Sequence, residues 1–290
     1  VPPASPRTEG DAPVTGACDC HVHVFDPRFP YAADARLRPP PATAEDMARL
    51  HARLGIGRVV VVQPTSYGTD NRCTLAAVAT RGLGQARAVV VVAPDTTEAD
   101  LATLHAQGAR GLRLNLARAA RPDLAAWTRL LQRAAPLGWH LLLHCRWPEF
   151  VELAPWVAAL PMPVVLDHFA RLGPAIATPA SLAGPALAPL RRGLAAGRLW
   201  VKLSAPYLES RTGASDPVDM DPWARQLLAE APGRLLWGSD WPHPAATAGE
   251  IPMPDAARLL AGLLRCCDSP AQVAQVLRDN PAALYGFEAT

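Results

Sequence analysis

Short uninterrupted runs of β-branched and aliphatic residues alternate along the chain with longer segments rich in alanine and leucine. The runs RVVVVQP and RAVVVVAP show no polar alternation, the pattern of strands covered on both faces in a parallel sheet. Eight strands are predicted, at 17–22, 58–63, 87–92, 111–115, 140–144, 164–167, 199–203 and 235–238. Between them TAEDMARLHARLG, TEADLATLHAQG, DLAAWTRLLQRAAPLG, PALAPLRRGLAAG and DPWARQLLAEAPG read as helices. Thr43 followed by Asp46 approximates a capping box, Thr97 precedes an acidic first turn, and Gly55, Gly108, Gly138 and Gly197 stand where helices stop. MPDAARLLAGLLRCC and SPAQVAQVLRDNPAALYG read as two closing helices. Eight strand–helix units predict an α/β fold, a (β/α)₈ barrel over 17–290, preceded by a flexible arm of small polar residues, proline and glycine at 1–16. A doubly wound sheet would want a glycine-rich turn after the first strand; that strand runs instead into His-Val-His, and the chain has no GxGxxG, GxxxxGK[ST] or GxSxG. Long loops are expected at 169–189 and 207–222, where barrel enzymes place specificity.

Composition narrows the function. The 290 residues carry 28 basic and 26 acidic side chains, a formal charge of +2, and half are hydrophobic. This excludes global disorder, an electrostatic membrane anchor and a polyanionic partner; no helix is basic enough to read DNA. No apolar run reaches 18 residues without a charge or a breaker, so no membrane span is expected. The N-terminus lacks the apolar core of a signal peptide, and the six cysteines are too irregularly spaced for a disulfide scaffold. They read as reduced thiols in a cytoplasmic protein, alone or as a homo-oligomer. The cations are 27 arginines and one lysine, Lys202, so nearly every positive charge is a planar fork suited to carboxylates.

Polar residues gather at the C-terminal ends of the predicted strands. The first ends in Asp19-Cys20-His21-Val22-His23, and the second in Gln63, followed by Thr65, Ser66 and Tyr67. The fourth carries Arg113 and Asn115, the fifth ends in His144, and the sixth in Asp167-His168. The seventh carries Lys202 and Ser204, and the eighth is followed by Ser239-Asp240-Trp241 and then His243. Period-two geometry puts His21 and His23 on one side of their strand, and a barrel would bring all these groups to one mouth. A lone histidine at a strand end is ordinarily structural; four histidines and an aspartate on separate strand ends make a site. His51 and His105 fall in helices as surface or packing residues, and His140 opens a strand at the stability end of the barrel. His243 either joins Asp240 or stiffens the loop between Pro242 and Pro244. Two imidazoles one residue apart can hold a metal or polarise a carbonyl, and Asp240 can deprotonate water. Arginines at the mouth, Arg113 first and then Arg72, Arg118, Arg146 and Arg171, would grip carboxylates. Ser66 and Tyr67 could meet substrate oxygens, while Asp70 and Asn71 would cap the next helix.

CDCHVHVFDPRFPY, VVVVQPTSYGTDN, GARGLRLN, VVLDHFARLG, VKLSAPY and LLWGSDWPHP together resemble the amidohydrolase-related family of 2-pyrone-4,6-dicarboxylate lactonase, over about residues 18–287. The resemblance implies a (β/α)₈ hydrolase opening small carboxylated lactones. It matches His21, His23, His168 and Asp240 to catalytic positions, the aspartate activating water without a metal. Arg113, Arg118 and Arg171 match family arginines, and the substrate-binding set extends to Ser66, Tyr67, Asn115, Tyr207 and His243. The block VKLSAPY is closer to relatives acting on sugar-acid lactones, the galactarolactone isomerases among them. Leu208 follows Tyr207 where the pyrone lactonases carry arginine, a departure from dicarboxylate binding. His144 is a second departure: distant metal-dependent relatives use a histidine there, so His21, His23, His144 and Asp240 could hold one zinc or manganese ion. Metal ligation and arginine-mediated polarisation without a cofactor both stay open. The resulting expectation is a lactone hydrolase, with a lactone isomerase as the alternative and a metabolite-binding barrel as the non-enzyme alternative.

Overall fold

The computed structural model describes residues 13–117, 122–174, 178, 184–214 and 216–288. Eight parallel strands pair in chain order: β1 (Cys18–Val22), β2 (Arg58–Val62), β3 (Ala86–Val90), β4 (Ala109–Asn115), β5 (His140–His144), β6 (Val164–Leu166), β7 (Leu199–Ser204) and β8 (Leu235–Gly238). The ring closes just beyond β8, where Asp240 N–H donates to the His21 carbonyl at 2.8 Å and His23 N–H donates to the Trp241 carbonyl at 2.7 Å. Six of the eight strands are buried throughout, which explains the missing polar alternation: one face fills the barrel and the other meets helices. The expected (β/α)₈ barrel is the observed fold.

The helices α1 (Ala44–Leu54), α2 (Arg72–Arg81), α3 (Glu98–Ala106), α4 (Leu124–Ala134), α5 (Trp147–Ala159), α6 (Ala188–Ala195) and α7 (Asp221–Glu230) follow the first seven strands. α1 shows why the sequence folds as it does. Met47, Leu50 and Leu54 recur on one buried face, and Thr43 and Asp46 close a reciprocal capping box. Gly55 then ends the helix at φ 67°, a left-handed conformation that costs a side chain dearly. A short α8 (Pro244–Thr247) follows β8, and α9 (Ala256–Cys266) packs against α7.

The second closing segment is one continuous helix in three registers: α10 (Pro270–Ala274), a π-helical turn at Gln275–Asp279, and α11 (Asn280–Tyr285). Pro281 has no N–H to give the turn before it, a setting in which wider hydrogen bonding is a natural outcome. Tyr285 and Phe287 then plug the floor of the barrel, where Arg58 and Arg87 lie over the Phe287 ring at 5.2 and 4.6 Å. Of the expected arm, residues 1–12 lie outside the described residues, and Val14 packs against the core. Among the described residues no helix is long and apolar enough to cross a membrane.

One irregularity positions the site. The β1–β2 register slips between Asp19 and Val22, a bulge that inserts a residue and changes which side chains face inward. Cys18 and Cys20 join the barrel interior with Val60 and Val62, yet His21 and His23 also face inward. Asp19 turns the other way. It accepts from the backbone N–H of Ser239 at 2.9 Å and of His21 at 3.1 Å, and meets His51 Nε2 on α1 at 3.2 Å. Burial would raise its pKa, but His51 and Ser239 outweigh that and hold it below the ordinary value. Asp19 thus ties β1 to β8 and to α1. Asp19→Ala is expected to cost about 3–5 kcal/mol, because it strands a buried histidine and two buried N–H groups. Urea unfolding at pH 7 reads this directly, as a lower midpoint with unchanged slope.

Candidate active site

The C-terminal ends of the strands surround a cavity of about 340 Å³. His23, Thr65, Ser66, Arg113, Asn115, His144, Arg146, His168, Arg171, Asp240 and Glu250 are its polar lining. Phe25, Leu37, Leu208 and Ile251 form its apolar lining. The strand ends supply the histidines and Asp240, and the loops add both apolar and polar groups.

Asp240 follows β8 at φ 62°, and the run His168 to Arg171 after β6 lies in the same left-handed region at φ 50–56°. Such non-glycine conformations cost energy and concentrate where side chains must be aimed. Gly238 makes room beneath them, since a Cβ there would lie 2.5 Å from the His21 Cβ. Asp240 is 6% exposed. Its Oδ2 accepts from the Tyr207 hydroxyl at 2.5 Å, and that hydroxyl lies 3.2 Å from His243 Nδ1. Its Oδ1 is turned to the histidine pair, 3.5 Å from His21 Nε2 and 3.6 Å from His23 Nε2. Burial pushes the carboxyl up to about 7, with Tyr207 opposing, Asp167 adding to the rise and Arg113 opposing.

The histidines are held neutral. Burial takes His21 down to about 4 and His144 down to about 3, and holds His23 and His168 well below the ordinary value. His23 Nδ1 lies 2.8 Å from the Val62 carbonyl, which can only accept, so this nitrogen carries the hydrogen. His168 Nδ1 meets Ser204 Oγ at 2.9 Å. Arg113 is 5% exposed and donates through Nη1 to the Gln63 carbonyl at 2.8 Å. Among the described residues its Nε is buried without a hydrogen-bond partner, an unspent donor.

The structure brings together His21, His23, His168, Arg113 and Asp240 as the sequence anticipates. It separates others. Tyr67 gives its hydroxyl to the backbone of Asp26, accepting from the N–H at 3.1 Å, and does not line the cavity. The Tyr207 hydroxyl contacts Asp240 and His243, and neither Tyr207 nor His243 is among the residues lining this cavity. Ser66 lines the cavity but donates to the Leu37 carbonyl at 2.7 Å, and Asn115 caps its own turn through Ala117 N–H at 3.1 Å. Arg171 lines the cavity yet is committed to Glu209, Nε to Oε1 at 2.5 Å. Arg72 is paired with Asp70 on the surface. Arg118 lies outside the described residues. Glu209, Leu208 and Ile251 come from loops whose facing no periodicity reveals.

A metal set of His21, His23, His144 and Asp240 is not what the geometry assembles. His144 Nε2 lies 3.3 Å from the Arg171 guanidinium, and its ring groups with Asp167 and His168. The three remaining donor atoms, 3.3–3.6 Å apart, have the spacing of a zinc site with bonds of about 2.0–2.1 Å. His21, His168 and Asp240 also bring one donor atom each within 4.8 Å of one another, a second trio that could hold an ion.

A barrel whose mouth holds an inward histidine pair on β1, a histidine after β6 and a buried aspartate after β8 is an enzyme scaffold of a recognisable class. The amidohydrolase family profile matches residues 18–287, and the chain belongs to that family. It is 34% identical over 282 residues to the 2-pyrone-4,6-dicarboxylate hydrolase of Comamonas testosteroni, covering 93% of this chain and 90% of that one. It is equally similar, 34% over 280 residues, to the 4-sulfomuconolactone hydrolase of Hydrogenophaga intermedia, covering 93% and 89%. The D-galactarolactone isomerase of Agrobacterium fabrum is 32% identical over 286 residues, covering 98% and 92%. An apo crystal structure from Agrobacterium tumefaciens superposes with a TM-score of 0.86 at 29% identity, covering 98% of this chain and all of that one.

Proposed function

We propose that this protein opens a small carboxylated lactone by adding water to the ring carbonyl. The observation that carries the reading is Asp240: a buried carboxylate with one oxygen fixed by Tyr207 and the other turned to the cavity. A carboxyl raised to about 7 is a base near neutral pH that can still return a proton. Water held at Oδ1 gives its proton to Asp240 as its oxygen bonds to the lactone carbonyl carbon. Arg113, which lines the cavity, meets the oxygen on which negative charge develops. The ring C–O bond then breaks, and the leaving oxygen takes the proton back from Asp240. His168, held by Ser204, and the half-exposed edge with Arg146 supply polar contacts for the substrate carboxylate. Leu208 and Ile251 favour a ring with little polarity on their side.

The lactone-hydrolase names of the relatives support this reading, and the six free thiols suit a reducing compartment, the cytoplasm. A panel of pyrone dicarboxylate, muconolactones and aldarolactones, followed by proton release and proton NMR, tests it. Net proton release with an open-chain hydroxy acid is the expected result. A product that is still a lactone, formed without proton release, would identify an isomerase instead.

A further inference from the structure

Lys202, the chain's only lysine, points into the barrel from β7 and is fully buried. Its Nζ lies 3.1 Å from His21 Nδ1 and 3.4 Å from Asp167 Oδ1. Asp167 also approaches His21 Nδ1, at 3.1 Å, but among the described residues neither of its oxygens receives an aligned hydrogen bond. An ammonium has hydrogens to give and no lone pair to offer, so the nitrogen facing it must be bare. We propose that Lys202 sets the tautomer of His21, leaving Nδ1 as acceptor and placing the hydrogen on Nε2. The two Nε2 atoms of the HxH pair then share one hydrogen with Asp240 beside them, and the pair is not a pair of metal ligands.

The neighbouring atoms agree with this direction. His23 carries its hydrogen on Nδ1, toward the Val62 carbonyl, so its Nε2 is a lone pair. That lone pair faces His21 Nε2 at 3.3 Å. Two lone pairs at this distance would need a shared cation; a hydrogen on His21 Nε2 satisfies both, with Asp240 Oδ1 within 3.5 Å as a second acceptor. Every proton from Lys202 through His21 and His23 to Val62 then has a donor and an acceptor. Metal-bound histidines show the opposite arrangement, in which the outer nitrogen donates to a carboxylate or carbonyl. Asp167 is placed to play that part, and Lys202 prevents it. Lys202 is accordingly a positioning residue that acts through His21. Its importance for turnover rests on the lactone-hydrolase reading; the tautomer and the zinc affinity do not.

Histidine ¹⁵N–¹H correlation spectra of the metal-free protein test the tautomer, with the His21 signals assigned by their loss in His21→Gln. The expected pattern is a hydrogen on Nε2 of His21 and on Nδ1 of His23. Zinc titration then compares the wild type with Lys202→Met, in which His21 is released to donate to Asp167. Since outer partners of ligating histidines are worth about 10–100-fold in metal affinity, the variant is expected to bind zinc about 10–100-fold more tightly. Lys202→Met/Asp167→Asn, which removes both charges together, keeps the test usable where the single variant folds poorly, and should lose that gain. A hydrogen on Nδ1 of His21 in the wild type, or wild-type zinc affinity equal to or above that of Lys202→Met, would overturn the proposal.

Discussion

Asp240→Asn is expected to lower kcat for lactone opening by about 10²–10⁴-fold, the range for loss of a general base, while making the folded protein more stable in alkali. Both follow from one feature, a carboxylate that the fold desolvates. Its folded pKa of about 7 lies above the ordinary value of 3.8. The group therefore contributes stability that is fully present below about pH 4 and is lost as pH rises toward 7. Above pH 7 the ionised carboxylate costs on the order of 4 kcal/mol relative to its neutral form. Asn keeps an acceptor for the Tyr207 hydroxyl and removes the charge, so Tm at pH 8 should rise while turnover collapses. Wild-type kcat/KM should fall about tenfold per pH unit below pH 7, because only the ionised form is a base. Thermal melts across pH 5–9 with parallel rate profiles read all three effects. A variant that is inactive and also less stable at pH 8 would make Asp240 a structural residue.

Arg113→Met is expected to cost about 10²–10³-fold in kcat/KM, the magnitude of losing an oxyanion donor from a dry site. Among the described residues the side-chain hydrogen bond to be given up is the one to the Gln63 carbonyl, so the fold should survive. A second signature separates an electrostatic role from a packing role. Arg113 is one of the charges that hold the Asp240 carboxyl down, so its removal should move the acid limb of the rate profile upward. Arg113→Lys should not rescue the rate fully, because an ammonium lacks the planar, multi-donor fork of a guanidinium. A rate loss without movement of the acid limb would separate Arg113 from Asp240 and weaken the assignment of both.

The barrel was legible because parallel strands buried on both faces leave unbroken apolar runs, and the mouth because polar residues interrupt those runs at one end only. His21, His23, Arg113, His168 and Asp240 follow from that alone. Lys202 and Ser204 also keep the facing that period two assigns them, although Lys202 serves a buried triangle with His21 and Asp167 rather than a substrate carboxylate. Asp19 was hidden by the bulge: an unbroken strand would give it the facing of His21, and only the register slip turns it toward His51. Tyr207 and His243 were less legible for another reason. They lie on loops, where sequence shows that a polar group is near the site but not whether it stands before or behind the catalytic carboxylate. Arg171 illustrates the same limit, since its partner Glu209 comes from a different loop 38 positions away.

The central claim is that water, activated at Asp240, becomes part of the product. Turnover of the best lactone in H₂¹⁸O, with mass spectrometry of the product after a single turnover, tests it most directly. One ¹⁸O atom in the newly formed carboxylate, with none at the released hydroxyl, is the expected result. A product isomeric with the substrate and free of label would contradict it.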